Sequence, residues 1–311
     1  MQVFQQIIDL QEAIRAFRAK TSTDHTISVG LVPTMGYLHA GHESLLKRAR
    51  SQNDLVVLSI FVNPLQFGPS EDFDTYPRDT KRDLELAERV KADMVFLPAV
   101  EEMYPQYPLA TKISIGDISS RLCGASRPGH FDGVATVVSK LFHIVQPDQA
   151  YFGQKDIQQI AVIEQMVQDL NMSVQIIPCP TLREPDGLAL SSRNVYLNPE
   201  ERSQAVILSK ALGKVDGWLR DVSSLTTEQL EERLAIEIMT APLANLEYAS
   251  ILAYPTLQSF RHDVPIHQLG SLQGHQRAVV ALAVKFGKTR LIDNRIITLG
   301  GASHVKNNDE I

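Results

Sequence analysis

The sequence predicts an α/β protein with a Rossmann-like parallel sheet domain and a second, smaller α+β domain. Apolar runs alternate with helical patterns over residues 1–181, as in successive βαβ units. One run, 55–62, is apolar apart from Ser59, which is typical of a parallel strand covered on both faces. Beyond residue 181, two helical patterns precede two strand-like runs. We therefore expect a parallel-sheet domain over 1–181 and a smaller α+β domain over 182–311.

The individual elements follow from the spacing of apolar residues. In the first domain we expect helices over 7–19, 43–50, 79–90, 134–144 and 156–170, and strands over 27–32, 55–62, 94–97, 150–152 and 174–177. In the second domain we expect helices over 199–218 and 227–239, strands over 246–254 and 278–286, a polar loop over 262–276 and a fraying tail over 301–311.

Composition excludes several classes of protein. A formal net charge of -6 argues against a nucleic-acid binder, which normally has a basic face. The only cysteines, Cys123 and Cys179, are too few for a disulfide framework or a thiolate zinc site. No signal peptide is evident, and no apolar run approaches the ~20 residues of a membrane span. We expect a cytoplasmic protein that binds neither membrane nor nucleic acid.

The loop between the first long strand and the next helix carries two glycines and two histidines. Gly36 and Gly41 let the backbone approach a ligand closely. Free N–H groups and the dipole at the helix N-terminus favour phosphate. His39 and His42 can donate hydrogen bonds to oxygens that gain charge during a reaction. The loop therefore predicts a site for nucleotide phosphates.

Two other interpretations of this loop stay open. The histidines can be a pair on a surface turn, or half of a metal site. No third ligand at metal spacing lies near His39 and His42, so a zinc site is the weaker interpretation.

Two polar clusters follow expected strands or open expected helices. Asn63, Gln66 and Tyr76 come after the strand over 55–62 and can bind a polar small molecule, although Asn-Pro also fits ordinary turn chemistry. Arg127 lies in a glycine-rich loop before a helix. It can form a bidentate pair with phosphate or carboxylate, or it can be a solvated surface arginine.

Two further clusters lie near the expected domain boundary. Lys155 and Asp156 follow a strand and begin a helix, so Lys155 can meet a phosphate while Asp156 caps the helix. The alternative leaves Lys155 in solvent. Ser191, Ser192 and Arg193 can form a lid over phosphates, or a linker rich in turn-forming residues.

Asp83 is the candidate metal ligand. It lies in the expected helix over 79–90. Mg²⁺ often takes one or two carboxylates together with phosphate oxygens, so Asp83 can hold Mg²⁺ beside a nucleotide. On spacing alone, an exposed helical acid fits equally well.

Together these segments resemble the pantoate–β-alanine ligase (pantothenate synthetase) family, which belongs to a nucleotidylyltransferase superfamily with a His-x-Gly-His signature. The matching segments are Pro33-Thr34-Met35-Gly36 with His39-Ala40-Gly41-His42, and the stretches 61–67, 127–134, 152–156, 186–194 and 287–294. They run in the family's order and cover nearly the whole chain, so the resemblance is specific.

The resemblance implies a two-step reaction. Pantoate attacks the α-phosphate of ATP, giving pantoyl adenylate and pyrophosphate. β-Alanine then attacks the acyl carbon and releases pantothenate and AMP. The resemblance also implies Mg²⁺ accompanying ATP, and a homodimer.

The resemblance also implies site residues. For catalysis these are His42, His39, Lys155 and Arg193, with His42 as the usual proton donor. For ATP they are Pro33, Thr34, Met35, Gly36, Tyr37, Leu38, His39, Ala40, Gly41, His42, Gly153, Gln154, Lys155, Asp156, Leu182, Leu190, Ser191, Ser192 and Arg193. For pantoate and β-alanine they are Gln66 and Gln159, with Asn63, Tyr76 and Arg127 at pocket positions, and for Mg²⁺ the residue is Asp83.

Two other functions remain as alternatives. One is a related adenylyltransferase that acts on another small acid or on a phosphate acceptor. The other is a catalytically silent nucleotide-binding or scaffold protein. The presence of His39, His42, Lys155 and Arg193 argues against a silent protein, which usually loses such residues.

Overall fold

The computed structural model describes residues 1–20, 26–68, 71 and 73–299. Contacts divide the chain into two compact units. The first unit comprises Met1–Ser120, Gly124–Gln154 and Val162–Cys179, and the second comprises Arg121–Cys123, Lys155–Ala161 and Pro180–Ile311. The two units carry the parallel sheet and the smaller α+β arrangement, so the predicted fold class is confirmed. The expected domain boundary at residue 181 stays a prediction.

The first unit is built on a six-stranded sheet in which every pair of neighbours is parallel. Its strands are β1 (Gln2–Phe4), β2 (Val29–Thr34), β3 (Leu55–Ile60), β4 (Met94–Phe96), β5 (Gln149–Gly153) and β6 (Gln175–Cys179), in the order β1-β4-β3-β2-β5-β6. The order reverses between β2 and β5, whose residues Gly30 and Gln149 are in register. In such sheets ligands bind outside the carboxyl ends of the strands at this switch point.

The longer helices between these strands of the chain bury apolar residues at helical spacing. The helices are α1 (Ile7–Arg18), α2 (Ala40–Gln52), α3 (Thr80–Arg89), α4 (Val100–Met103), α5 (Cys123–Ser126), α6 (His130–Val145) and α7 (Ile157–Asp169). Short 3-10 turns occupy Pro64–Gln66, Asp117–Ser120 and Gln154–Asp156. Every residue of β3 is buried, as the run over 55–62 predicts for a strand covered on both faces.

The second unit contains a three-stranded antiparallel sheet in the order β7-β8-β9. Its strands are β7 (Ala244–Ala253), β8 (Arg277–Phe286) and β9 (Thr289–Thr298), and its helices are α8 (Pro199–Ala205), α9 (Ile207–Asp221), α10 (Thr227–Ile238) and α11 (Ile266–Gln273), with a 3-10 turn at Ser192–Tyr196. Side chains from the helices and from one face of the sheet, including Leu212, Leu234 and Leu282, form its core.

Most of the predicted elements are confirmed, with ends that differ by at most about four residues, the usual uncertainty of such boundaries. The loop expected over 262–276 is wrong, because α11 lies within it. The helix expected over 199–218 is two helices that meet at Val206. The short edge strand β1 and the last strand β9 were not expected. The expected tail lies outside the described residues.

Among the residues that the structure describes, no helix is long and apolar enough to cross a membrane.

Candidate active site

The histidine loop leaves the carboxyl end of β2, next to the switch point of the sheet, and leads directly into α2. It turns sharply at two residues with positive φ, Gly36 (83°) and Tyr37 (51°). A Cβ atom at Gly36 would lie 3.0 Å from a carboxylate oxygen of Asp83 and 3.1 Å from the Ile60 side chain. The loop therefore needs glycine at position 36 for its backbone conformation and for its close packing.

His39 and His42 close the first turn of α2 with reciprocal capping bonds. Nδ1 of His39, the N-cap residue, accepts from the Gly41 N–H at 3.1 Å, and Nδ1 of His42 accepts from the His39 N–H at 3.2 Å. The two ring centroids lie 4.1 Å apart. Because both Nδ1 atoms accept hydrogen bonds, each neutral ring carries its proton on Nε2. The helix N-terminus therefore has two imidazole N–H donors beside it.

Asp83, in the first turn of α3, contacts the same loop through both carboxylate oxygens. One oxygen accepts from the Tyr37 N–H at 2.8 Å and the other from the Leu38 N–H at 2.6 Å. Asp83 is 1% exposed, and burial raises the pKa of its carboxyl above the ordinary value, although these two N–H donors oppose the shift. The structure shows Asp83 supporting the loop backbone, and it contradicts the expectation of an exposed helical acid.

Gln66 connects this loop to the short turn after β3. Its side-chain N–H donates to Sδ of Met35, and its side-chain oxygen Oε1 accepts from the side-chain amide of Asn63 at 3.1 Å. Gln66 is 8% exposed. A residue expected to bind pantoate therefore lies in contact with a residue expected to bind ATP.

Asn63 is buried and its hydrogen-bonding capacity is filled. Its amide N–H groups donate to Gln66 and to the Gly133 carbonyl, and its oxygen accepts from the Leu65 N–H and the Tyr104 hydroxyl. An asparagine side chain can make four hydrogen bonds, and all four are made here. Asn63 therefore supports the Gln66 turn, and its contact with substrate stays a prediction.

Arg127 also has a protein partner. Its Nε donates to Glu71 at 2.8 Å and its Nη2 donates to the other Glu71 oxygen, while Nη1 lies 3.0 Å from Nε2 of His130. Nδ1 of His130 lies 2.7 Å from the backbone carbonyl oxygen of Gln66, so the His130 ring joins the Arg127 pair to the Gln66 turn. The bidentate geometry shows that Arg127 can hold a carboxylate. Sequence reasoning missed Glu71, because an acid in a loop gives no periodic signal.

Tyr76 lies in a small aromatic group that follows the same turn. It is 6% exposed, and its ring packs edge-to-face against Phe67 with centroids 5.9 Å apart.

Gly153 and Gln154 end β5 and begin the next 3-10 turn in the first unit. These residues lie at the carboxyl edge where the sequence predicts them.

The other expected residues lie in the second unit. Nζ of Lys155 lies 3.9 Å from an Asp156 oxygen, and the Lys155 carbonyl accepts from the side-chain amide of Asn294 at 2.9 Å. Asn294 belongs to a segment that carried the family resemblance, but sequence reasoning gave it no role. Asn294 therefore supports the backbone at Lys155.

Gln159, which is also expected in the site, is half-buried on α7.

A hairpin in the second unit brings Leu182 and Leu190 together, since the Leu190 N–H donates to the Leu182 carbonyl at 2.9 Å. The Ser191 hydroxyl then accepts from the Arg193 N–H at 3.2 Å and caps the 3-10 turn that contains Ser192. These residues thus form one continuous surface segment within this unit.

Comparison with known proteins identifies the family. A family model described as pantoate-beta-alanine ligase matches residues 2–296. A pantothenate synthetase of Acetivibrio thermocellus is 50% identical over 297 residues, covering 96% of this chain and 99% of its own. One from Fervidobacterium nodosum is 52% identical over 274 residues, covering 87% of this chain and 91% of its own.

Solved structures agree with this assignment. The pantothenate synthetase of Thermus thermophilus superposes with a TM-score of 0.81 at 41% identity, covering 95% of this chain and 99% of its own. A pantoate–β-alanine ligase of Francisella tularensis, complexed with β-γ ATP and β-alanine, has a TM-score of 0.70 at 35% identity, covering 95% of this chain and 97% of its own. This chain belongs to the pantoate–β-alanine ligase family of enzymes.

Proposed function

We propose that this chain condenses pantoate with β-alanine through a pantoyl-adenylate intermediate. A carboxylate oxygen of pantoate attacks the α-phosphorus of ATP, and the bond from that phosphorus to the bridging oxygen breaks, releasing pyrophosphate. The amine of β-alanine then attacks the acyl carbon. The bond from this carbon to the phosphate oxygen breaks, AMP leaves, and the amine loses a proton to give the amide of pantothenate.

The arrangement of His39 and His42 at the start of α2 is the observation that carries this proposal. Attack of a carboxylate on a phosphate brings two anions together, so hydrogen-bond donors aimed at the phosphates are the main requirement. The two Nε2–H groups and the dipole of α2 supply favourable interactions with phosphate at one place. We assign the phosphates of ATP to this loop.

The remaining roles are assigned from the family resemblance. We propose that Gln66 and Gln159 hold pantoate, and that Lys155 and Arg193 offset the negative charge of the phosphates. The resemblance also gives Arg127 a pocket position, and we propose that it can exchange its bidentate partner Glu71 for a substrate carboxylate. Both pantoate and β-alanine carry such a group.

We expect Mg²⁺ to accompany ATP, but Asp83 does not fit as the protein ligand of this ion. Each Asp83 oxygen already accepts a backbone N–H, and the side chain is 1% exposed. Among the described residues, no group of three His, Cys, Asp or Glu side chains is placed to hold a metal ion.

We also propose that the chain forms a homodimer, as the family resemblance implies. Light scattering during size-exclusion chromatography tests this directly. A mass close to twice 34.6 kDa supports the dimer, and a mass of 34.6 kDa at micromolar concentration contradicts it.

The half-reaction distinguishes this function from its alternatives. With ATP, Mg²⁺ and pantoate, we expect at most about one pyrophosphate per active site, because the adenylate stays bound. Addition of β-alanine permits turnover to AMP and pantothenate. Steady AMP release with neither acid nor amine contradicts the proposal. A stable nucleotidylated product with no amide supports the related adenylyltransferase instead.

Isotope transfer tests the intermediate itself. Pantoate labelled with ¹⁸O in its carboxylate should transfer one ¹⁸O to AMP and keep the other in the amide. Mass spectrometry of AMP measures this transfer. Unlabelled AMP contradicts attack of the carboxylate on the α-phosphorus.

A further inference from the structure

We propose that Asp83 is a positioning residue, which fixes the backbone of the nucleotide loop at Tyr37 and Leu38, and that it is not a metal ligand. The consequence for ATP binding rests on the function proposed above. The contact with the loop stands on the geometry alone.

The contact is made by a buried carboxylate whose two oxygens each accept one N–H, from Tyr37 at 2.8 Å and from Leu38 at 2.6 Å. Leu38 is 0% exposed and Asp83 is 1% exposed. Hydrogen bonds to an ionised acceptor are about twice as strong as those between neutral groups, and water does not compete for them here. Asp83 therefore holds two consecutive residues of the loop to α3.

The conformation of the loop explains why it needs this support. Tyr37 has φ at 51°, in the left-handed region that non-glycine residues rarely adopt. Such a conformation persists only when surrounding contacts determine it. The Arg82 guanidinium adds a second contact from α3, since it lies 5.5 Å from the centroid of the Tyr37 ring. Contacts from one turn of α3 thus hold Tyr37 in its unusual conformation.

The position of the contact connects it to the histidines. Leu38 immediately precedes His39, the N-cap residue of α2. The hydrogen bond from Leu38 to Asp83 therefore fixes the chain at the point where the helix begins. Loss of this bond lets the first turn of α2 shift or fray, and with it the backbone N–H groups and both imidazoles that face the phosphates in the proposed function.

The same geometry argues against a metal ion at these oxygens, because the carboxylate is 1% exposed and each oxygen already accepts a backbone N–H. A cation bound to Asp83 in place of the N–H groups would leave the buried amides of Tyr37 and Leu38 without an acceptor. The two assignments therefore differ in one measurable respect. A positioning residue affects nucleotide binding whether or not Mg²⁺ is present, whereas a metal ligand affects it only when Mg²⁺ is present.

The first test measures ATP affinity of the Asp83→Asn variant by calorimetry, once in EDTA and once with Mg²⁺. Asparagine keeps the shape but loses the charge and one acceptor, so we expect the Kd to rise about tenfold or more, by the same factor under both conditions. Glu85→Gln, which removes one charge from an exposed position of α3, is the matched control and should leave the Kd unchanged. An increase only with Mg²⁺ overturns the proposal, and so does an unchanged Kd.

The second test does not depend on ATP binding, and its first measurement needs no variant. In the unmodified chain the amide protons of Tyr37 and Leu38 should exchange slowly with solvent, although neither residue lies in a helix or strand. Asp83→Asn should accelerate exchange at these two amides at least about tenfold, and Glu85→Gln should not. Rapid exchange in the unmodified chain overturns the proposal. Slow exchange in a chain that makes no pantothenate refutes the proposed function alone.

Discussion

His39 and His42 cap the same helix turn, with ring centroids 4.1 Å apart and with each Nδ1 accepting a backbone N–H. These bonds have two consequences at once. They satisfy two N–H groups that a helix terminus otherwise leaves unpaired, and they fix the Nε2–H tautomer of both neutral rings. Stability of the turn and hydrogen-bond donation to phosphate therefore depend on the same side chains.

Substitution of His42 can separate these two roles. His42→Ala removes both the capping acceptor and the Nε2–H donor, whereas His42→Asn places an amide oxygen near the position of Nδ1 and lacks the distal donor. If donation to phosphate is the main role, we expect both variants to lose about 10²-fold or more in kcat. Single-turnover formation of pyrophosphate from ATP and pantoate measures the loss.

His143→Ala is the control for this comparison, because His143 is exposed on α6 and its ring contacts the nearby Ser139 carbonyl. It should keep normal kcat. Near-normal kcat in His42→Asn, together with a large loss in His42→Ala, would assign His42 to capping and remove it from the reaction.

Gly36 should tolerate no side chain. Alanine there must adopt φ near 83°, and its Cβ must lie 3.0 Å from Asp83. We expect Gly36→Ala to cost about 2 kcal/mol of stability, together with weaker ATP binding, because the loop must move. Urea unfolding and calorimetry with ATP measure the two effects.

Gly213→Ala provides the opposite case. Gly213 lies inside α9, and apart from the helix's own nearby backbone no atom of the described residues lies within 4 Å of a Cβ built there. Alanine should therefore stabilise the protein by about 0.5–1 kcal/mol. A loss of stability at position 213 similar to that at position 36 would contradict the packing argument.

The sequence predicted those parts of the fold that show a local pattern, such as a continuous apolar run or a loop of glycines and histidines. The run over 55–62 predicted β3 because every residue of that strand is buried, and the two glycines with two histidines predicted the loop before α2. The helix α11 was missed because polar residues surround its buried Ile266 and Leu269, which lie three residues apart.

Long-range partners explain what the sequence could not show. Strand β9 buries Asp293, whose charge is paired with Arg183 more than a hundred residues away, so its apolar alternation is interrupted. The partners of Asp83 in the candidate site are also distant in sequence. Its spacing fits an exposed acid or a metal ligand, and only the fold shows that it bonds the backbone of Tyr37 and Leu38.

Glu71 should make stability depend on pH through its pair with Arg127. Burial alone raises the pKa of the Glu71 carboxyl, but the hydrogen bond and the charge of Arg127 outweigh it and hold the pKa below the ordinary value of 4.5. The pair therefore stabilises the folded state above that value, and the contribution is lost as the pH falls through the lowered pKa.

Thermal unfolding of the wild type and of Glu71→Gln tests this sign. The wild type should have the higher midpoint at about pH 7, and the difference should narrow below about pH 4 as the carboxylate becomes protonated. A difference that widens on acidification would contradict the assignment of the Arg127 pair.

Glu247 should contribute more to stability than a glutamate of the same unit whose partner is an exposed lysine. Arg290 donates to it from Nε at 2.8 Å and from Nη2 at 3.1 Å, and both side chains are only 20% exposed. Glu247→Gln leaves the guanidinium half-buried without its bidentate partner, so we expect a loss of about 2 kcal/mol in urea unfolding.

Glu237→Gln is the matched comparison, since Glu237 pairs with Lys214, whose side chain is 50% exposed. Pairs of this kind contribute little because solvent screens them and the lysine must be ordered, so we expect a loss of at most about 0.5 kcal/mol. The ratio of the two losses is the decisive quantity. Equal losses would mean that the bidentate geometry at Arg290 adds nothing beyond simple charge pairing, and the pair would then be a surface contact despite its partial burial.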